Sequence, residues 1–435
     1  GRINYAYKGK YLLQGILRRE GSSRFGTNNK WANFPAVSAG WNIHQENFMK
    51  NVGWLSNLKL RVGYGVTGNQ NTIGNYASLV TLGGGGVYIY PDGQYRETYG
   101  PNRNPNPNLR WETKKELNIG VDFGLLKNRL SGSVEFYTRH TEDLLGTYTS
   151  AQPPFIRDNI LTNVGTIAAR GVELTINAIP VRTKNFTWSV DLTGNTTRNW
   201  IREWSNETYK VDYRTYAGIG GFGDLGNAIT TYQGEKIGQF WGKRYAGLSA
   251  SGDWLFYNRK GELVPNAQIN NSYNKDLTDL AVIGNAIPKL YLQLTNTFNY
   301  KNLDLRVFMR GKFGHDILNT MNLSYGNQIS KTNLLRSAFT TYKDIKGTYM
   351  YSDYYIEKGD FVKIDEITLG YTFKMSNKYV RNLRVYASGQ NLFTITNYTG
   401  NDPDFILDTG LDAGVDGRGP YPSTRSILVG LNIGF

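Results

Sequence analysis

Cysteine is absent from the 435 residues, so neither disulfides nor thiolate metal sites can hold the chain together. That fits an oxidising compartment without requiring one. Histidine is scarce: His44, His140 and His315 lie too far apart in sequence to suggest a His-based metal centre. No stretch approaches the ~18 consecutive apolar residues of a membrane-spanning helix. Neither GxSxG nor HExxH occurs, and the histidines have no evident catalytic partners, which argues against a barrel protease or lipase. Lys and Arg outnumber Asp and Glu by 49 to 35, a net charge of +14. They form no basic run, so nucleic acid is not an expected partner; phosphate-bearing lipid headgroups are the simpler counterpart. No cofactor is implied. No signal peptide is visible, and the chain opens inside a strand-like segment from Arg2 to Tyr7, so Gly1 is not expected to be the natural start.

What the chain has in abundance is aromatic residues and glycine: 14% Phe, Trp and Tyr, with 31 Tyr and 50 Gly. Disorder is excluded by that content. The mean hydropathy of −0.46 suits a soluble protein, but it also suits a membrane barrel, in which only alternate strand residues meet lipid. Alternation recurs throughout. Leu58, Leu60, Val62, Tyr64 and Val66 share one phase; Leu117, Ile119, Val121, Phe123 and Leu125 share another. The same period runs through Val172–Ala178, Phe186–Leu192, Leu303–Met309 and Ile367–Phe373. A period of two gives each strand one apolar and one polar face. Near Ile364 the phase slips by one residue, which predicts a β-bulge.

Many runs reach about ten residues, the length a tilted strand needs to cross a bilayer. Tyr5, Tyr7, Tyr11, Trp41, Trp188, Tyr300 and Tyr371 stand at strand ends, where interfacial girdles form. Short turns at Lys8-Gly9, Lys127-Asn128, 183–185 and Lys301-Asn302 alternate with long stretches at 67–113, 142–167, 199–235, 314–360 and 394–423. This is the pattern of outer-membrane barrels. Eight strands are expected up to Thr197 and five from Leu290 onward. Gln239–Tyr245 and Trp254–Tyr257 either add a hairpin or belong to one loop, so thirteen or fifteen strands result. An odd number cannot close a bacterial barrel, and open edges in lipid are prohibitive, so further strands are expected upstream. The last residues, Ile427, Val429, Leu431, Ile433 and Phe435, alternate and end on an aromatic, which looks like a membrane-insertion signal.

Several segments resemble the SusC family of the Bacteroidetes. They are GRINYAYKGKYLLQGILRREGSSRFGTNNKWANFPAVSAGW (1–41), LKLRVGYGVTGNQNTIGNYAS (58–78), 106–137, NVGTIAARGVELTINA (163–178), 283–318 and VYASGQNLFTITNYTGNDPD (385–404). They follow in order through nearly the whole chain. The resemblance implies an all-β, transmembrane antiparallel barrel of about 22 strands, plugged, of which this chain is the C-terminal thirteen to fifteen. It places the plug domain, the TonB box and the first seven to nine strands outside 1–435. It implies active import of an oligosaccharide or peptide across the bacterial outer membrane. The implied partners are a SusD-like surface lipoprotein acting as a lid, the N-terminal plug-bearing part of the same transporter, the TonB complex through that part, and outer-membrane lipid. A dimer of transporter–lipoprotein pairs is a further arrangement the resemblance admits. A passive porin would share the strands and girdles but lack plug and lid; a soluble carbohydrate-binding β-protein would need shorter strands.

Charges in the polar phase mark the expected lumen: Lys59, Arg61, Glu116, Asp122, Glu135, Glu173, Asp191, Asp304, Arg306, Arg310 and Arg384. Facing lipid, an Arg or Lys there would cost up to ~2–4 kcal/mol at the midplane. Contact with a plug is the expectation for most of them. Loop aromatics Tyr213, Tyr216, Phe222, Trp254 and Tyr257 are candidates for stacking on sugar rings or gripping peptides, with packing between loops or against the lid as the alternative. Asp402, Asp404, Asp408, Asp412 and Asp416 fail the EF-hand spacing, so a solvated loop is expected there. The GxGxxG at 221–226 has no βαβ unit around it and carries no nucleotide reading.

Overall fold

The computed structural model describes residues 1–71, 73–220, 225–329, 333–375, 379–405, 410–417, 419 and 421–435. One antiparallel sheet of thirteen strands dominates, its strands lying side by side in chain order. They are β1 (Arg2–Tyr7), β2 (Tyr11–Gly21), β3 (Trp31–Asn42), β4 (Leu55–Asn69), β5 (Glu112–Leu125), β6 (Leu130–Thr149) and β7 (Asn159–Arg182). After these come β8 (Phe186–Glu203), β9 (Leu290–Tyr300), β10 (Leu303–Phe313), β11 (Phe361–Lys374), β12 (Asn382–Thr396) and β13 (Ser426–Gly434). Eight precede the central long connection and five follow it. Gln239–Tyr245 and Trp254–Tyr257 add no hairpin to the wall. They join two small sheets inside the β8–β9 connection, one of four short strands and one of three.

The turns explain the order. Both residues of Lys8-Gly9 are left-handed, at φ +51° and +66°, as a tight hairpin between right-twisted strands requires. Lys127 and Asn128 do the same at the β5–β6 turn. At the opposite ends of the strands lie the long connections. One expected loop is mostly strand instead. Of 142–167, only 150–158 is unpaired, because β6 and β7 continue to Thr149 and back from Asn159. Register shifts at Thr141, Leu144 and Leu145, with Asp143 left-handed at φ +59°, scramble the alternation there and hide the strand in the sequence. At 20, 24 and 18 residues, β6, β7 and β8 exceed what a bilayer needs and project beyond it. The slip near Ile364 is a bulge: Met309 faces Ile364 and Phe308 faces Glu366, leaving Asp365 as the extra residue.

Much of the apolar phase is uncovered. Val62, Tyr64, Ile119, Val121, Val134, Phe136, Leu369 and Tyr371 are all exposed although none is polar, the reverse of a soluble sheet. Near the short turns the aromatics stack across strands: Tyr7 on Tyr11 and Tyr11 on Trp41 with ring centroids 6.4 and 6.5 Å apart, Trp188 on Phe298 at 5.8 Å. They form the girdle at that interface. Val121→Arg, in the middle of β5 on this face, is expected to destabilise the folded barrel by about 2–4 kcal/mol, read from urea titrations in vesicles.

Candidate functional site

The opposite phase carries charge, and the register turns single residues into ladders. Arg61 on β4 bonds Asp122 on the adjacent β5 with Nε at 2.8 Å and Nη2 at 2.7 Å, then reaches Glu135 on β6 at 2.8 Å. It can cross β5 because Gly120 stands beneath it: a Cβ there would lie 3.1 Å from the guanidinium. Arg384 on β12 does the same over Gly370 of β11 to bond Asp304 on β10, at 3.0 and 2.5 Å. Glu116 meets Lys114 and Arg139 at 3.2 and 3.3 Å, and Arg306 meets Glu366 at 3.0 Å. Lys59, Glu173 and Asp191 share this face, and among the described residues they have no side-chain partner, although the register sets Glu173 opposite Glu135. The other charges expected in the lumen are all paired.

Three long connections, 204–289, 314–360 and 397–425, fuse into one cap. Ile229 and Phe240 from the first, Leu318, Leu323 and Tyr355 from the second and Val415 from the third share a single core. Hydrogen bonds cross between them: Tyr351 Oη to Ala228 O at 2.8 Å, Ala217 N to Asp412 Oδ1 at 2.6 Å, Leu318 N to Gly414 O at 2.9 Å. The short strand Asp316–Asn319 pairs with both Ile356–Lys358 and Val415–Asp416.

The cap is bolted to the wall by charge, against the expectation of a solvated acidic loop. Asp404 has a side chain 4% exposed and accepts from Arg310 at 2.5 Å and Lys312 at 2.8 Å. Lys363, equally buried, bonds Asp402 at 3.0 Å, and Arg310 also bonds Asp365. Asp416 is buried against the Tyr398 hydroxyl, which donates at 2.5 Å. Asp402 and Asp404 neutralise strand cations. Sequence spacing could not show this, because the cations lie 39 or more residues upstream. Asp408 lies outside the described residues, and among those described no group of three or more His, Cys, Asp or Glu could hold a metal ion.

The loop aromatics are divided by the fold. Trp254 is only 3% exposed, donates Nε1–H to Thr348 O at 2.7 Å and offers no face to a ligand. Tyr216 is half-buried between two cores. Tyr257 is exposed on the rim of the three-stranded sheet, and Phe222 lies outside the described residues. Tyr213 stands in a cleft of about 690 Å³ with Asp212, Gln233, Ser272, Asn274 and Asp276. Its ring stacks on Tyr273 at 4.9 Å, beside Tyr232, which packs on Trp241 at 4.9 Å; Lys275 covers the Tyr232 ring at 4.4 Å. Tyr232, Trp241 and Tyr273 escaped the sequence reading because two come from separate strands of the small sheet and the third from a loop outside it, held by the Tyr232 hydroxyl, which donates to Tyr273 O at 2.9 Å. Tyr273 also lines a second cleft of about 440 Å³ with Lys243, Asn271 and Tyr351.

At the mouth end of β10, His315 is 5% exposed and its Nδ1 has no hydrogen bond, with Asp360 Oδ1 3.8 Å away. Burial pulls its pKa from 6.5 down to about 4, against the attraction of Asp360. The unfolded chain therefore binds a proton between about pH 6.5 and 4 that the folded cap refuses, and stability falls as pH drops through that window. His315→Gln is expected to remove up to about 3 kcal/mol of this acid sensitivity, measured as the difference in urea midpoints between pH 7 and pH 4.5.

Comparison with known proteins agrees with wall and cap. The family described as TonB dependent receptor-like, beta-barrel matches residues 1–392. The TonB-dependent receptor SusC of Bacteroides thetaiotaomicron is 34% identical over all of this chain and 43% of its own length. A TonB-dependent receptor of Formosa agariphila is 31% identical over all of this chain and 46% of its own. Among solved structures, the RagAB peptide importer in its open-open state superposes with a TM-score of 0.80 at 22% identity, covering 100% of this chain and 46% of that one. The chain thus spans less than half the length of the relatives it matches. It belongs to the TonB-dependent receptor β-barrel family of the bacterial outer membrane.

Proposed function

We propose that this chain is the C-terminal part of the barrel of an active importer, carrying an oligosaccharide or peptide inward under the control of TonB. The observation that carries the proposal is, among the described residues, the combination of an inner wall with unmatched charges and a thirteen-stranded sheet whose first and last strands each pair on one side. A bilayer does not tolerate such edges, so upstream strands of the same transporter close the barrel, and its plug meets Lys59, Glu173 and Asp191. The cap supplies the outer binding surface. Its Tyr213 cleft pairs aromatic faces with amide, hydroxyl and carboxylate groups, a lining that suits sugar rings or peptide backbones alike. A SusD-like lipoprotein covers this surface as a lid, and two such pairs assemble as a dimer.

The test is purification of the complete transporter from outer membranes in mild detergent, with mass spectrometry of everything retained. A plug-bearing N-terminal part, a SusD-like lipoprotein and a bound glycan or peptide are the expected result, with uptake lost when TonB is deleted. Single-channel recording supplies the opposite arm. A protein that conducts openly in planar bilayers and takes up solute without TonB is a passive porin, and the importer reading fails.

A further inference from the structure

The wall opens between β8 and β9 at its loop-side end. Register runs as far as Asn195 opposite Tyr291. The same edge of β8 is next met at Asn199, whose carbonyl accepts from Ile237 N–H at 3.2 Å, and at Trp200, which bridges Lys236. Among the described residues, nothing pairs with the stretch between. Alternate residues of an antiparallel strand turn their backbone groups to the same side, and β8 has no register shift from 195 to 199. Thr197 therefore points its N–H and C=O into the opening, as Asn199 does into the bond with Ile237.

A cleft of about 300 Å³ occupies this place, lined by Thr197, Arg198, Asn199, Lys236, Asn285 and Lys289 among others. Three cations line it and no carboxylate does. All three are exposed, and unlike Arg61, Arg310 or Arg384 they have no side-chain partner among the described residues. A second observation points the same way. On the far side of β8, Arg198 stands directly opposite Arg170 of β7. Like charges paired across a ladder are destabilising unless something negative lies between or beside them. On other strands Arg61, Arg310, Lys363 and Arg384 each meet a carboxylate; the lining of this cleft supplies none.

We propose that this opening binds a phosphate-class anion, held by Arg198, Lys236 and Lys289 with the Thr197 N–H as a further donor. Guanidinium and ammonium groups converging on one cleft suit a tetrahedral oxyanion with several acceptor oxygens. The cleft is large enough for a phosphate with part of its substituent. The anion comes either from a lipid headgroup at the membrane surface or from a phosphorylated solute.

The complete transporter in nanodiscs of phosphatidylcholine doped with phosphatidylglycerol tests the lipid source by native mass spectrometry. Titration of the detergent-solubilised transporter with inorganic phosphate tests the soluble one. The comparison protein carries Arg198→Gln, Lys236→Gln and Lys289→Gln together. A second set, Arg198→Lys, Lys236→Arg and Lys289→Arg, keeps the charge. At least tenfold weaker retention of phosphatidylglycerol by the neutral variant, with the charge-conserving variant like wild type, assigns the site to a lipid headgroup. The same loss for inorganic phosphate, without lipid preference, assigns it to a solute. Should the neutral variant fail to fold, wild type and the charge-conserving variant still decide by their preference for phosphatidylglycerol over phosphatidylcholine and their phosphate titrations. No preference and no titration in wild type, or equal binding by a folded neutral variant, overturns the proposal.

Discussion

Asp404→Ala is expected to destabilise the folded protein by about 3–5 kcal/mol and to free the final connection from the wall. Three carboxylates, Asp365, Asp402 and Asp404, face three cations, Arg310, Lys312 and Lys363, so the cluster is balanced. Asp404 is the shared partner: Lys363 lies 3.8 Å from it as well. Its loss leaves Lys363, with a side chain only 4% exposed, in a site with one positive charge too many. Removing one partner of a buried charged set is costly because the survivor stays desolvated without its counter-charge. Hydrogen exchange over 397–405 and 410–417 would rise, and the urea midpoint would fall. Lys312→Met added to Asp404→Ala restores the balance and should recover much of the loss. An Asp404→Ala protein with exchange and midpoint like wild type would mean that these loops are held by the shared apolar core alone.

The contrast between wall and cap follows from what a sequence can carry. Leu58 to Val66 or Leu117 to Leu125 declare their strand by alternation, since each residue's side is fixed by its parity. Turn residues such as Lys8-Gly9 declare the direction of the next strand. Together these show eight strands before the central connection, five after it and the bulge near Ile364, while the choice between thirteen and fifteen stays open until the two segments inside the connection are placed. The pairing of Arg61 with Glu135, two strands away, was not legible, because it depends on the small Gly120 standing at the right register on the strand between them. The cap was less legible still. Its core residues Phe240, Leu318 and Val415 come from three connections with no shared period, and their contacts are set by closure of long loops far apart in sequence. Asp402 and Asp404 looked like a solvated acidic stretch for the same reason: their counter-charges belong to strands β10 and β11.

Trp254→Ala should separate the two halves of this architecture. The indole lies nearly parallel to Phe256 with centroids 6.2 Å apart, meets Tyr354 edge-on at 5.3 Å and fixes Thr348 through its 2.7 Å hydrogen bond. A glycine at 347 lets the 314–360 connection approach: a Cβ there would sit 2.9 Å from the ring. Truncating a buried ring of this size costs about 3–5 kcal/mol, and here the cost falls on the cap alone. Limited proteolysis is therefore expected to cut within 204–289 and 314–360 in the variant, while heat-modifiable migration on a gel, which reports the strand ladder, stays as in wild type. Trp254→Phe should protect the loops partly, restoring ring packing but leaving the Thr348 carbonyl without its donor. If Trp254→Ala instead abolished ligand binding with both connections still protected, the indole would be a ligand platform exposed by some other arrangement of the cap. The burial of its ring and its bond to Thr348 argue that it is the pin holding two connections together.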